Sequence, residues 1–295
     1  MGPALALLAS LRPRQWVKNL FVFAGVIFSQ QMLTPLMWTA VGAFVIFCAL
    51  SGAIYLFNDV ADVERDRLHP SKRLRPIASG QVSRPAAVLV GVLLVGGGLG
   101  AAFRIGLAFG LVALGYGALL TAYSLWLKHI VILDVLTVAT GFVLRAVAGA
   151  VAVDAEISGW LLICTILLAL FLALGKRRHE YRSLARDAAA HRPILAEYSE
   201  SFLDQMISVV TASTVTAYAL YTMSPETVAK FHTRLLPLTL PFVLYGIFRY
   251  LYLLYRRDLG GSPSDLLVTD RALLLDALLW MVATFAIIYG PRWAA

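Results

Sequence analysis

What most constrains this chain is a train of apolar runs, each near the length that crosses a lipid bilayer, with almost all the charge left between them. The runs fall at about 20–34, 37–57, 85–103, 105–127, 130–153, 157–175, 204–222, 235–255 and 271–290. A helix needs roughly 20 apolar residues to cross the hydrocarbon. The pattern therefore predicts an all-α, polytopic membrane helix bundle with about nine transmembrane helices, the first of them short. Composition agrees: 60% of residues are hydrophobic, 14% are charged and the mean hydropathy is +0.78. Nothing is left over for a soluble domain, so residues 1–295 are expected to form a single integral membrane domain. Glycines inside the runs, such as Gly96, Gly97 and Gly98, are expected to let helices pack closely.

The basic residues set the orientation. Lys and Arg crowd 12–18, 65–84, 128, 176–192 and 249–257, whereas 33–36, 104, 154–156 and 223–234 are base-poor. Cytoplasmic loops carry the Lys/Arg excess, so the N-terminus is expected in the cytoplasm and the C-terminus outside. Residues 1–19, with Arg12, Pro13, Arg14, Trp16 and Lys18, read as an interfacial cytoplasmic segment and not a cleavable signal. The long polar loops 58–84, 176–203 and 256–270 then share the cytoplasmic face, where a site for a soluble co-substrate belongs. The net charge of +8 points to cytoplasmic loops and anionic lipid or substrate. Nucleic acid is excluded, because no folded polar basic surface is present. Cys48 and Cys164 lie in apolar runs, which argues against a disulfide framework. His129 and His179 lack a third soft ligand at zinc spacing, and no G-x-S-x-G, Walker A or G-x-G-x-x-G context is present.

One polar string stands out. It runs Asn58-Asp59-Val60-Ala61-Asp62-Val63-Glu64-Arg65-Asp66 and continues through His69-Pro70-Ser71-Lys72-Arg73-Leu74-Arg75-Pro76-Ile77. Asn58, Asp62 and Asp66 stand at i, i+4 and i+8, and Asp59 joins Asp62 and Asp66 at i, i+3 and i+7. On a continuous helix these oxygens share one face. Clustered carboxylates need a cation, and hard oxygen ligands suit Mg2+, which commonly shares them with substrate phosphates. Arg67, Lys72, Arg73 and Arg75 are placed to hold the parts of a polyphosphate that the metal leaves uncovered. The plainer reading is a solvated loop whose charges pair with each other.

Three further groups carry chemistry. The run Lys176-Arg177-Arg178-His179-Glu180 serves either as a positive-inside anchor or as a second anion site; Asp187 is a distant spare acid. Tyr123 and Lys128 flank the junction of the fourth and fifth runs. Asp134 and Arg145 lie 11 apart inside an apolar run, on one face of a helix, where ionisable groups usually point to an interior cavity or to each other. In the last polar loop, Asp270 reads as the cap of the final helix.

The string N-D-x-x-D-x-x-x-D followed by H-P-x-K-R-x-R-P-I resembles the first aspartate-rich motif of the UbiA superfamily of intramembrane prenyltransferases. The resemblance covers the whole chain and includes the Y-x-x-x-x-K element at Tyr123 and Lys128. Within the superfamily the chain most resembles the decaprenyl-phosphate phosphoribosyltransferase branch. That finer likeness rests on R-P-R-Q-W-V-K-N-L-F-V-F-A, which holds Gln15, Lys18 and Asn19. It rests also on L-K-H-I-V-I-L-D-V-L-T-V-A-T-G-F-V-L-R-A-V-A-G-A, and on the basic L-A-L-G-K-R-R-H-E-Y where the general family carries a second aspartate motif. The resemblance implies transfer of 5-phosphoribosyl from phosphoribosyl diphosphate to a polyprenyl phosphate in cell-wall arabinan precursor synthesis. It implies a plasma-membrane enzyme with a cytoplasmic site, Mg2+ as cofactor, Asp59, Asp62 and Asp66 as catalytic acids, and Asn58, Asp62 and Asp66 as metal ligands. Phosphate or substrate would be bound by Gln15, Lys18, Asn19, Arg67, Lys72, Arg73, Arg75, Tyr123, Lys128, Asp134, Arg145, Lys176, Arg177, Arg178 and Glu180. A homo-oligomer is left open. The alternatives are a Mg-dependent prenyltransferase acting on an aromatic acceptor and a polyprenyl-phosphate transporter. The concentration of charge at one face favours an enzyme over the transporter.

Overall fold

A computed structural model describes residues 2–70, 72–184 and 193–290. The chain divides into two compact units, residues 1–157 and 158–295. The first contains α1 (Pro3–Ser10), a short α2 (Phe23–Phe28), α3 (Leu36–Ala61), α4 (Val63–Leu68), α5 (Arg84–Ile105), α6 (Leu107–Leu125) and α7 (Leu133–Ala152). The second contains α8 (Gly159–Leu184), α9 (Glu200–Met223), α10 (Pro225–Phe231), α11 (Leu240–Arg256), α12 (Pro263–Thr269) and α13 (Arg271–Tyr289). Among the described residues there is no strand, and eight helices are long and apolar enough to cross a membrane. The chain is an all-α, polytopic membrane protein.

The first expected span, 20–34, is not a continuous α-helix. Residues Pro13–Val22 form a 3-10 helix that runs into the six-residue α2. This segment nevertheless runs the length of α3 in the opposite direction. Arg12 meets Asp59 at one end. Asn19 then bonds Ser51, the Phe23 ring lies against Phe44, and Val26 packs with Ala40. A 3-10 helix rises about 2.0 Å per residue and an α-helix about 1.5 Å, so its sixteen residues reach roughly 29 Å, enough for the hydrocarbon core. The pulled-out geometry gives this short run the reach of a crossing, although it is not among the eight long apolar helices.

Small residues make this possible. A Cβ on Gly149 of α7 would lie 1.8 Å from the Val22 carbonyl oxygen, and one on Gly25 would lie 2.4 Å from the Ala150 nitrogen. With Ala146 and Ala150, themselves buried, these glycines let two backbones touch, the usual route to tight helix contact in lipid. The expectation for Gly96 and Gly97 is corrected: a Cβ on either would meet nothing within 4 Å. Only Gly98 of the three packs closely, with Leu50 Cδ2 at 3.1 Å. The outer face of α5 exposes Leu89, Val92 and Leu93, as a lipid-facing surface would.

Helix starts follow capping chemistry. Ser83, Ser199, Ser224 and Asp270 each accept a hydrogen bond from a backbone N–H of the first turn of α5, α9, α10 and α13, which satisfies donors the helix cannot pair itself. The entry to α7 is unusual. Leu133 N donates to Val131 O at 2.8 Å, and between them Ile132 has φ 69° and ψ −46°. This is the strained γ-turn of positive φ, here held by a β-branched residue. It sits between Lys128 and Asp134.

At the Asp59 end of the first unit, α1 lies across α3. Ala6 and Leu7 join Leu56, Val63, Ile77 and Val82 in one apolar cluster. The cluster seals the inner side of the 58–84 loop and so fixes where its polar residues can go.

Candidate active site

The acid string does not lie on one continuous helix. α3 ends at Ala61, Asp62 sits at the break with φ −92° and ψ 5°, and α4 begins at Val63. The expected shared face is therefore divided. Asp59 and Asp66 are both 3% exposed, whereas the Asp62 side chain is 39% exposed, with Arg65 Nη1 at 4.0 Å. Asn58 is half-buried, and its carbonyl accepts from Asp62 N at 2.9 Å.

The two buried carboxylates converge on guanidinium groups. Arg75 Nη1 donates to Asp59 Oδ1 at 3.1 Å and to Asp66 Oδ2 at 2.6 Å. Arg12 Nη2 donates to the same Asp59 Oδ1 at 2.5 Å and stacks over the Tyr55 ring, 4.7 Å from its centroid. Sequence reasoning missed Arg12 and Tyr55 as site residues. The signal for Arg12 was its place in the basic lead beside Gln15 and Lys18, but the partner lies 47 positions away. Arg67 donates to Ala78 O and to Glu64, so it braces the loop. Glu64 also takes a hydrogen bond from Arg84, which lowers its carboxyl below the usual range. Lys72 and Arg73 are exposed in a 3-10 turn.

Do these residues suit a divalent cation? Among the described residues no three His, Cys, Asp or Glu side chains are grouped as a metal cage. Two hard carboxylates do meet at one cationic atom, Arg75 Nη1, with the half-exposed Asp62 four residues from Asp66. Mg2+ is usually held by one or two carboxylates, completed by water and substrate phosphate. The donor set fits that mode.

Deeper in the same unit, Arg145 is 6% exposed. Its Nε donates to Asn19 Oδ1 at 2.8 Å, Nη1 to Gly141 O at 2.9 Å and Nη2 to Tyr116 OH at 2.6 Å. Asn19 Nδ2 in turn donates to Ser51 Oγ at 3.2 Å. The 3-10 segment, α3, α6 and α7 are thus joined at one buried polar node. Tyr116, the node's aromatic member, was not anticipated. Asp134 is fully buried in the first turn of α7. Gln15 and Lys18 are half-buried on the 3-10 segment, and Tyr123 and Lys128 are half-buried at the end of α6 and in the following turn.

In the second unit, the basic run is largely committed to acids. Arg178 Nε donates to Asp204 Oδ1 at 2.6 Å and Nη2 to Glu200 Oε1 at 2.8 Å, while its guanidinium lies 4.0 Å from the Tyr255 centroid. Tyr255 OH donates to the same Asp204 oxygen at 2.8 Å. Arg178 therefore clamps α8 to α9 and α11. Arg177 bonds Glu180, and Lys176, 43% exposed, lies 3.6 Å from it. Beside this run a cavity of about 190 Å³ is lined by His179, Gly260, Gly261, Ser262, Asp265 and Thr269. Gly260 N donates to His179 Nδ1 at 3.3 Å. Asp187 lies outside the described residues.

Known proteins agree with this architecture. Residues 19–266 match the UbiA prenyltransferase family profile. A decaprenyl-phosphate phosphoribosyltransferase of Mycolicibacterium smegmatis is 32% identical over 96% of this chain and 92% of its own length. A second, from Corynebacterium glutamicum, is 34% identical over 96% of this chain and 86% of its own length. Among solved structures, a UbiA homolog from Archaeoglobus fulgidus bound to GPP and Mg2+ superposes with a TM-score of 0.73 at 22% identity. The match covers 96% of this chain and 99% of that one. A profile match through most of the chain, and full-length relatives at about one residue in three, place it: the chain belongs to the UbiA prenyltransferase family.

Proposed function

We propose that the protein transfers the 5-phosphoribosyl group of phosphoribosyl diphosphate to a polyprenyl phosphate, decaprenyl phosphate by its relatives' names, and releases diphosphate. The product would feed arabinan synthesis in the cell wall. The observation that carries this reading is near-full-length similarity to two decaprenyl-phosphate phosphoribosyltransferases. A basic run in the last turns of α8, where the sequence predicted a loop from residue 176, supports it.

The reaction breaks the bond between C1 of the ribose and the diphosphate oxygen and forms one between C1 and a lipid phosphate oxygen. The acceptor is already an anion, so no strong general base is needed. The protein's work is to hold two mutually repelling anions in line and to stabilise the leaving diphosphate. Asp59, Asp62, Asp66 and Asn58 would hold Mg2+, which supplies charge neutralisation of the diphosphate when bound. Arg75, Lys72 and Arg73 are the bases of the same loop assigned to phosphate oxygens. Gln15, Lys18, Tyr123, Lys128 and Asp134 would complete the substrate contacts of the first unit. Arg145 and Asn19 act by fixing the 3-10 segment that carries Gln15 and Lys18. In the second unit we assign anion binding to Lys176, the exposed base of the run, and a bracing role to Arg177 and Arg178. We place the enzyme in the plasma membrane with its N-terminus and site in the cytoplasm.

The test is direct. Purified protein is incubated with labelled phosphoribosyl diphosphate, Mg2+ and a panel of polyprenyl phosphates. The expected result is a labelled lipid whose formation EDTA abolishes. Labelled lipid formed only from a prenyl diphosphate and an aromatic acceptor would overturn the reading.

A further inference from the structure

Two carboxylates, each with its side chain 4% exposed, meet at one nitrogen that comes from outside. Arg75 and Arg12 are 28% and 30% exposed. The acids are fixed by the ends of α3 and by α4. The backbone beside Arg75 is also fixed, since Ile77 is 2% exposed in the cluster with Leu56 and Val63. Among the described residues the Arg75 guanidinium is bonded through Nη1, to Asp59 and to Asp66. It is thus a partly exposed group on an anchored stem, held there by these two acids.

Two buried carboxylates cannot both stay ionised without a cation beside them, because desolvation and mutual repulsion both oppose it. A divalent oxygen-seeking ion that binds these oxygens meets Arg75 already in place. We infer that Arg75 is a displaceable counter-cation: it neutralises Asp59 and Asp66 until a divalent metal displaces it, and the released guanidinium then takes the donor's diphosphate. The planar fork of a guanidinium suits phosphate as well as carboxylate, so one side chain serves both states. Metal entry would then arm the phosphate-binding group, and the metal would precede the sugar donor. This rests on the metal reading of the acid cluster made above.

The inference predicts opposite signs for one substitution. In Arg75→Gln the acids lose the cation that bridges them, while Arg12 stays on Asp59, so Mn2+ should bind about tenfold tighter than to the parent, the scale of one charge-assisted contact. Phosphoribosyl diphosphate should bind the Mn2+-loaded variant about tenfold more weakly. Both are measured by titration calorimetry in detergent, with Mn2+ alone in the first arm. Thermal midpoints are read in EDTA and in Mn2+. The variant should melt lower in EDTA and gain more from Mn2+ than the parent does. Arg256→Gln, which removes an exposed charge elsewhere, should behave as the parent. Equal or weaker Mn2+ binding by Arg75→Gln overturns the inference and leaves the metal reading standing. No Mn2+ binding by the parent overturns the metal reading, and the inference with it. Should Arg75→Gln not fold, Arg75→Lys decides: its ammonium ends one bond short of the Nη1 position and bridges the two carboxylates less well, so Mn2+ should still bind tighter, by a smaller factor. Unchanged or weaker binding there refutes the idea.

Discussion

Gly149→Ala should disturb the site without touching it. The added Cβ would sit 1.8 Å from the Val22 carbonyl oxygen and 2.6 Å from the Val22 carbonyl carbon. Both are backbone atoms, so no side chain can turn away. Ordinary contact needs about 3.4 Å, so the 3-10 segment must retreat by roughly 1.5 Å, or α7 must bend. Overpacking of this kind costs about 1–3 kcal/mol. The retreat also stretches the 2.8 Å bond from Arg145 Nε to Asn19 Oδ1 beyond hydrogen-bond range. A buried donor left unpaired costs about 1–3 kcal/mol more. The expected loss is about 2–6 kcal/mol, enough to lower the thermal midpoint in detergent by many degrees. The same shift moves Gln15 and Lys18 on the near end of the segment. A misplacement of about 1 Å can cost a hundredfold in rate, so turnover should fall at least tenfold at temperatures where the protein remains folded. Gly42→Ala is the control, since its Cβ meets nothing within 4 Å. A Gly149→Ala protein with the parent's midpoint and turnover would show that the close approach does not position the 3-10 segment.

Other outcomes follow from single contacts. Arg178→Ala should lower stability by about 1–3 kcal/mol: breaking a buried ion pair costs more than that, but the Glu200 and Asp204 side chains are 47% and 35% exposed and water relieves them. Arg178→Lys should recover only part, because an ammonium cannot reproduce the two-acid fork; full recovery would reduce the clamp to a point charge. Asp270, outside the spans, has its carboxyl held below the usual range, first by the hydrogen bond from Arg249 and then by backbone donors of α13. A depressed folded value means that its stabilisation is complete above about pH 4 and is lost as pH falls through the folded value. Asp270→Asn should flatten that part of the midpoint-against-pH curve, and an unchanged acid limb would refute the role. For orientation, cysteines placed at 68 and 183 should be labelled from the cytoplasm and one at 228 from outside; the reverse pattern would move the site to the other face.

The helical, membrane-spanning fold was legible because it depends on local quantities, run length and charge placement, that a sequence states outright. Residues 20–34 mark where that legibility stops. Their length was too short for an α-helical crossing, yet the alternation of basic loops demanded one. The resolution, a 3-10 rise over Pro13–Val22, depends on Gly149 and Ala150 more than a hundred positions away, and no local pattern encodes it. The acid string failed in a similar way. Its spacing assumed one helix through Asn58 to Asp66, and nothing in the residues near Asp62, neither proline nor glycine, announces the break observed there.

Partner choice was the least legible property, and for a physical reason. Charge-assisted bonds are decided by which side chains the packing brings within about 3 Å, and that packing is long-range. Arg178 was read with its neighbours Lys176 and Arg177 as either a positive-inside anchor or an anion site, but Glu200 and Asp204 on α9 claim it. Asp59 was read with Asp62, but Arg12 and Arg75 claim it from either side in sequence. In both places an apparent excess of one sign is compensated locally. A phosphate or a metal ion must therefore compete for these groups with protein partners already in place. Affinity at such a site is a difference between two sets of bonds, so substitutions of the internal partners, not only of the groups that touch substrate, should tune it.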